Sequence, residues 1–160
     1  MADAYVTGLT MLARRELSEA QVRQRLARRQ FESDDIDAAV TRLQQERALD
    51  DRRTALAFAR TQANVKRHGR LRVLRELQAI GIARGLAQDA VAEVFADVDE
   101  DDLIARALDR RLRTGRGTGG TRPAPADLRR VQQYLLRQGF SADRVNAAIR
   151  TRRRRPESSE

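Results

Sequence analysis

The chain has 160 residues, 41% apolar and only 4% aromatic, with 32 basic against 23 acidic groups and a formal charge of +9. It has no cysteine, which excludes disulfides, thiolate nucleophiles and zinc–thiolate sites. No apolar run approaches the roughly 18 residues needed to cross a bilayer. Arg14 and Arg15 interrupt any signal-like core after Leu12, so a soluble, cytoplasmic protein is the expectation.

With so few aromatics the core must be built from Leu, Val, Ile and Ala. Alanine and arginine abound, proline is absent before Pro123, and no stretch alternates apolar with polar residues as a strand would. The expected fold class is all-α. The charge is uneven. Residues 1–50 hold 8 basic and 9 acidic groups, residues 51–98 hold 9 and 5, and residues 99–160 hold 15 and 9. The excess in the middle and last parts points to a polyanion or an acidic protein surface as partner.

A repeat organises the chain. Val22, Leu26, Phe31, Ile36 and Val40 recur at the same offsets as Val73, Leu77, Ile82, Ala87 and Val91, and again as Val131, Leu135, Phe140, Val145 and Ile149; Ala87 alone departs from Val, Leu, Ile or Phe. Gln30, Gly81 and Gly139 each precede the third apolar position, where a tight helix–helix turn is wanted. Ser33, Asp34 and Ser141 are candidate caps for the helix that follows, whereas Ala83 and Arg84 offer none in the middle copy.

A further helix is expected upstream of each pair, over about 4–15, 51–67 and 100–113. Asp50 and Asp51 stand where an N-cap and a first-turn acid belong. The whole therefore reads as three tandem three-helix repeats, 1–49, 50–98 and 99–152, forming an elongated, curved array. A Gly/Pro-rich insertion, TGRGTGGTRPAP at 114–125, is expected to be flexible, and the tail from Arg152 onward to fray or be disordered.

Enzymatic readings fail on the residues. The glycine-rich stretch after Thr114 lacks the Lys-Ser or Lys-Thr of a phosphate-cradling loop and follows a helix instead of a strand. His68 is the only histidine and reads as a solvated turn residue. The acids at 50–51 and 99–102 read as caps and first-turn charges. No catalytic residue, metal or cofactor is expected.

The binding reading rests on arginine. Arg60, Lys66, Arg67, Arg70, Arg72 and Arg75 run from one helix end through a basic turn into the next helix, and Arg129, Arg130 and Arg137 lie on the matching helix of the third repeat. Arg72 and Arg130 share one repeat position, Arg28 and Arg137 another. Such a stripe suits a phosphate backbone, with salt-dependent affinity, or carboxylates on a protein filament. The scarcity of aromatics argues against sequence-specific reading of single strands.

These stretches resemble a known family. RLQQERALDDRRTALAFAR followed by KRHGRLRVLRELQAIGI, with LARRELSEAQVRQRLARRQF before them and YLLRQGFSADRV after, is similar to the RecX family of bacterial RecA regulators. The Leu-Asp-Asp element at 49–51 and the Lys-x-x-Gly at 66–69 are its more specific features. The resemblance implies three repeats of three helices and a non-catalytic protein. It implies binding to RecA, chiefly as the filament on single-stranded DNA, and inhibition of RecA ATPase, strand-exchange and co-protease activities, hence a role in DNA repair, recombination and the SOS response. A monomer is expected. The rival expectation is a basic helical DNA-binding protein that acts without RecA.

Overall fold

The structure is a computed structural model that describes residues 3–114 and 123–154. Most of the glycine-rich insertion and the last six residues lie outside the described residues.

The described residues form α1 (Ala4–Arg14), α2 (Glu19–Arg28), α3 (Ser33–Gln45), α4 (Asp51–Arg60), α5 (Arg70–Ala79), α6 (Arg84–Phe95), α7 (Glu100–Thr114), α8 (Pro125–Arg137) and α9 (Ala142–Arg154). A π-helical turn, Thr61–Val65, extends α4. There is no strand among the described residues, so the chain is all-α. Helices pack closely only inside each consecutive triplet. Three apolar clusters result, centred on Val22, Leu26 and Leu43, on Val73, Leu77 and Phe95, and on Ile104, Leu135 and Val145. Each of these Leu, Ile or Phe side chains contributes about 1.5–3 kcal/mol by leaving water.

The repeat pattern has a local cause. The second helix of every triplet ends in the same hydrogen-bonded turn. The N–H groups of Gln30, Gly81 and Gly139 return to Ala27, Gln78 and Leu136, and those of Phe31, Ile82 and Phe140 return to Leu26, Leu77 and Leu135 at 3.4, 3.1 and 3.3 Å. This Schellman arrangement requires a positive φ at its corner and an apolar contact across it. The corner φ values are 63°, 88° and 95°, and the apolar pair is the second and third member of each repeat.

The same turn shows why the first copy tolerates glutamine and the others need glycine. Gln30 is exposed. A Cβ at Gly81 would strike Ala20, and one at Gly139 would strike Arg72. The second and third corners are therefore seated against the preceding triplet.

Caps differ in detail from expectation. Asp50 caps α4, accepting from the Arg53 N–H at 3.0 Å, and Ala83 caps nothing. The α3 cap position is Glu32, without a side-chain bond, and Ser33 is already helical. The tail starts later than expected. Arg152, Arg153 and Arg154 continue α9, and an Arg152–Asp109 contact of 3.5 Å ties the first of them to α7.

Candidate functional site at the second junction

The triplets meet at helix ends, and the two junctions follow one scheme. At the first, Ser18 caps α2 in a reciprocal capping box with Gln21. Its hydroxyl accepts from the Gln21 N–H at 3.1 Å and donates across the junction to the Ile80 carbonyl at the end of α5. Asp51, the first residue of α4, accepts from the Glu19 N–H at 2.8 Å. Burial pushes the Asp51 carboxyl above its ordinary value, with the nearby Glu19 and Asp50 charges adding to the effect against the pull of that N–H. Glu16 pairs with Arg53 at 2.9 Å.

At the second junction Gly69 stands where Ser18 stood. Its N–H donates to the Gln138 carbonyl at 2.8 Å, and the Leu71 N–H donates to the Gly139 carbonyl at 3.1 Å. A Cβ on Gly69 would lie 2.5 Å from the Phe140 nitrogen and closer still to the Gly139 carbonyl group. The glycine of the Lys-x-x-Gly element is thus required by two backbones in contact. Glu100, the first residue of α7, replaces Asp51: it accepts from the Arg70 backbone at 3.3 Å and from the Arg70 guanidinium at 2.8 Å. Its side chain is 2% exposed against 43% for Arg70.

The α4 cap Asp50 and Gly69 are 19 positions apart, whereas Asp3 and Ser18 are 15 apart. The π-helical turn and the loop after it take up the difference. They carry Lys66 and Arg67, the latter at φ 57°, out over the third triplet. There Lys66 and Arg67 line a cleft of about 310 Å³ with Leu103, Arg106, Ala107 and Arg110 of α7 and Tyr134, Gln138 and Phe140. Lys66 and Arg67 are exposed and have no ion pair among the described residues. Arg106 pairs with Asp102 at 2.8 Å on an exposed surface, and the Arg111 guanidinium lies 3.3 Å above the Tyr134 ring.

The residues expected to bind are not all used alike. Lys66 and Arg67 face the cleft. Arg70 and Arg72 are held inside the chain: Arg70 by Glu100, Arg72 by Glu76 at 2.7 Å and by the Gln138 side chain at 3.2 Å. Arg130 shares the repeat position of Arg72 yet is 81% exposed, 3.5 Å from Asp127. Arg60 reaches Glu93 at 3.8 Å, and Arg75, Arg129 and Arg137 are exposed. Arg106 and Arg110 were missed by the sequence reading. Their signal was an i, i+4 pair of arginines on α7, hidden in a helix that is arginine-rich on several faces.

His68 departs from expectation more sharply. Its side chain is 14% exposed, not solvated, and its Nδ1 is buried without a hydrogen-bond partner, as is Oε2 of Glu76 3.8 Å away. Burial lowers its pKa, with the Arg72 charge acting the same way and Glu76 opposing.

No group of carboxylates or histidines that could hold a metal ion occurs among the described residues. Among them no helix is long and apolar enough to cross a membrane.

Three helices per unit, joined end to end by repeated helix-terminus contacts, define a helical repeat protein with a basic cleft at its second junction. Residues 4–43 match the model of the first three-helix domain of RecX, and residues 50–91 that of the second. The chain is 35% identical over 143 residues to the regulatory protein RecX of Halorhodospira halophila, covering 88% of this chain and 82% of that one. It is 34% identical over 146 residues to the regulatory protein RecX of Geobacillus kaustophilus, covering 91% of this chain. The chain spans about half the length of that relative, 52%. The crystal structure of RecX from Lactobacillus salivarius superimposes with a TM-score of 0.78 over 92% of this chain and 93% of that one, at 20% identity, and so shares the fold. The chain belongs to the RecX family of regulatory proteins.

Proposed function

We propose that this protein binds the RecA filament on single-stranded DNA and inhibits its ATPase, strand-exchange and co-protease activities without catalysing a reaction. The observation that carries the reading is the outward display of Lys66 and Arg67, exposed and without ion pairs among the described residues, over the cleft that also presents Arg106 and Arg110. The nearby Arg70 and Arg72 are engaged across the junction, by Glu100 and by Gln138. Charge that is free of internal partners is available to acidic protein surface or to phosphate.

An array of three units reaches more than one protomer of a filament, and simultaneous engagement raises avidity without any tight single contact. A ligand that binds one filament state better than another biases the filament toward that state. Holding protomers in one arrangement then opposes the ATP-driven cycle. The protein acts in this scheme as a monomer in the cytoplasm, its three triplets being the three units of the array.

The experiment compares affinity for RecA filaments on single-stranded DNA with affinity for the same DNA alone, using the parent and a Lys66→Ala/Arg67→Ala/Arg106→Ala variant. Tighter binding to the filament, weakened in the variant, supports the reading. Equal or tighter binding to naked DNA, steeply salt-dependent, would mean that the protein binds DNA without RecA.

A further inference from the structure

The cleft at the second junction has counterparts in the other triplets. Counting from Asp3 and Asp99, the residues just before α1 and α7, Thr7, Thr10 and Arg14 stand where Leu103, Arg106 and Arg110 stand. Counting from Val22 and Val131, Arg25 and Arg29 stand where Tyr134 and Gln138 stand. These α1 and α2 residues line their own groove, of about 480 Å³, together with Arg15 and Arg28. The first triplet therefore repeats the seat of the third.

In the other two triplets the loop of the preceding triplet packs at the seat. In the third it takes the loop that carries Lys66, Arg67 and Gly69, whose N–H reaches the Gln138 carbonyl. In the middle triplet Thr54 is the counterpart of Thr7 and Ile80 that of Arg29. Thr54 donates to the Glu16 carboxylate and the Leu17 carbonyl at 3.2 and 3.3 Å, and Ile80 accepts from Ser18. Beside it Arg53 takes the same Glu16 carboxylate. At both seats the neighbour is a polypeptide loop, and at one of them it brings a carboxylate. The first triplet has no predecessor among the described residues.

Its own helices supply five arginines to the seat, where the third triplet's own helices supply two, Arg106 and Arg110. Arg14, Arg15, Arg25, Arg28 and Arg29 converge on it, and no Asp or Glu lines it. None of the five is in an ion pair among the described residues. Four carboxylates of this triplet pair with other arginines: Glu16 with Arg53, Glu19 and Asp37 with Arg23, and Glu46 with Arg42. Residues 1–50 carry slightly more acid than base, so the net charge conceals a separation of charge inside the unit. Guanidiniums lining one groove repel one another unless an anion lies between them.

We propose that the groove between α1 and α2 is a docking seat for an acidic polypeptide loop of the partner protein, which adds to the chain's own order as a preceding unit would. The equivalence of the seats selects polypeptide over a phosphodiester chain, and the five arginines exclude a second copy's basic α9 end. Which protein supplies the loop rests on the proposed function; the seat and its chemistry do not.

The test uses a fluorescent ten-residue glutamate peptide and a fluorescent thymidine oligonucleotide, read by anisotropy against the parent and against Arg25→Gln/Arg28→Gln/Arg29→Gln. These three side chains are exposed or half-buried, and far-UV circular dichroism checks the fold. Arg14→Gln/Arg15→Gln, on α1, is the second variant. The peptide should bind the parent and lose about tenfold or more in either variant, as the removal of several charge-assisted contacts implies, while the oligonucleotide loses less than about twofold because the Lys66 cleft is intact. No peptide binding by the parent, unchanged peptide binding in both variants, or an equal or larger loss for the oligonucleotide would overturn the proposal. Absence of any effect of the parent on RecA would remove the proposed function and leave the peptide result standing.

Discussion

Replacing Gly69 by alanine probes the second junction without touching a charge. The backbone there has φ −77°, which alanine adopts freely, so the cost is purely one of space. The added methyl falls on the Gly139 carbonyl group and on the Phe140 nitrogen. These are backbone atoms, which no rotamer change can move aside. The cheapest relief is to part the second and third triplets, giving up the Gly69–Gln138 and Leu71–Gly139 backbone bonds. At about 0.5–1.5 kcal/mol each, together with about 1–3 kcal/mol for overpacking where the joint stays closed, the loss is about 2–6 kcal/mol. Reduced freedom of the unfolded chain returns about 0.5–1 kcal/mol, leaving a net destabilisation of about 1–5 kcal/mol. Gly85→Ala is the matched control. It lies in the first turn of α6, where an added methyl would meet nothing within 4 Å, so alanine there should stabilise by about 0.5–1 kcal/mol. Urea denaturation followed by far-UV circular dichroism reads both. A Gly69→Ala protein within about 0.5 kcal/mol of the parent, well below the overpacking cost, would show that the two backbones are not in contact and refute the argument.

Other expectations concern the same joints. Arg70→Ala should destabilise by about 2 kcal/mol, below the usual 3–5 for breaking a buried pair because Arg70 is partly exposed, since it leaves Glu100 buried without its guanidinium; equal stability by urea denaturation would mean that Arg144, whose guanidinium lies 4.0 Å from the Glu100 carboxylate, suffices. Ser18→Ala should cost about 1–2 kcal/mol by removing both the α2 cap and the link to Ile80, measured in the same way; a cost near zero would assign the first junction to Asp51 and Arg53 alone. His68 has a folded-state pKa below its ordinary 6.5, so on acidification the unfolded chain takes the proton first. Stability should therefore be flat above about pH 7 and fall as the pH drops through 6.5, by at most about 1.4 kcal/mol per pH unit for one proton. His68→Gln should remove that slope. A parent that gains stability relative to His68→Gln over the same range would show that the charge of Glu76 outweighs burial and the Arg72 charge.

The three-helix periodicity was legible in the chain because the Schellman turn writes itself into sequence. It demands an apolar pair five residues apart and a residue tolerant of positive φ between them, and Leu77, Gly81 and Ile82 satisfy it as plainly as Leu135, Gly139 and Phe140. The lack of an α6 cap at Ala83 was legible for the same reason, since capping is local. The basic loop at Lys66 and Arg67 could be picked out as a charge cluster. The division of labour within the cluster could not, because Arg70 and Arg72 are separated from their neighbours only by Glu100 and Gln138, many residues away. Glu100 looked like a first-turn acid and is one, yet its carboxylate also closes a joint with the preceding triplet. His68 was misread for a related reason. A lone histidine among cations looks solvated, and only the folding of the loop against α5 buries it. The arginine seat of the first triplet was invisible to net charge, which averages over a unit whose acids and bases face different ways.

The proposed function has the chain act on RecA. ATP turnover by RecA on single-stranded DNA, titrated with this protein, tests it most directly. The account predicts inhibition at well below one protein per RecA, because an array bridging protomers acts on its neighbours as well, and it predicts that Lys66→Ala/Arg67→Ala/Arg106→Ala needs more protein for the same effect. Undiminished turnover at equimolar protein, under salt conditions in which the protein still binds the DNA, would contradict the account.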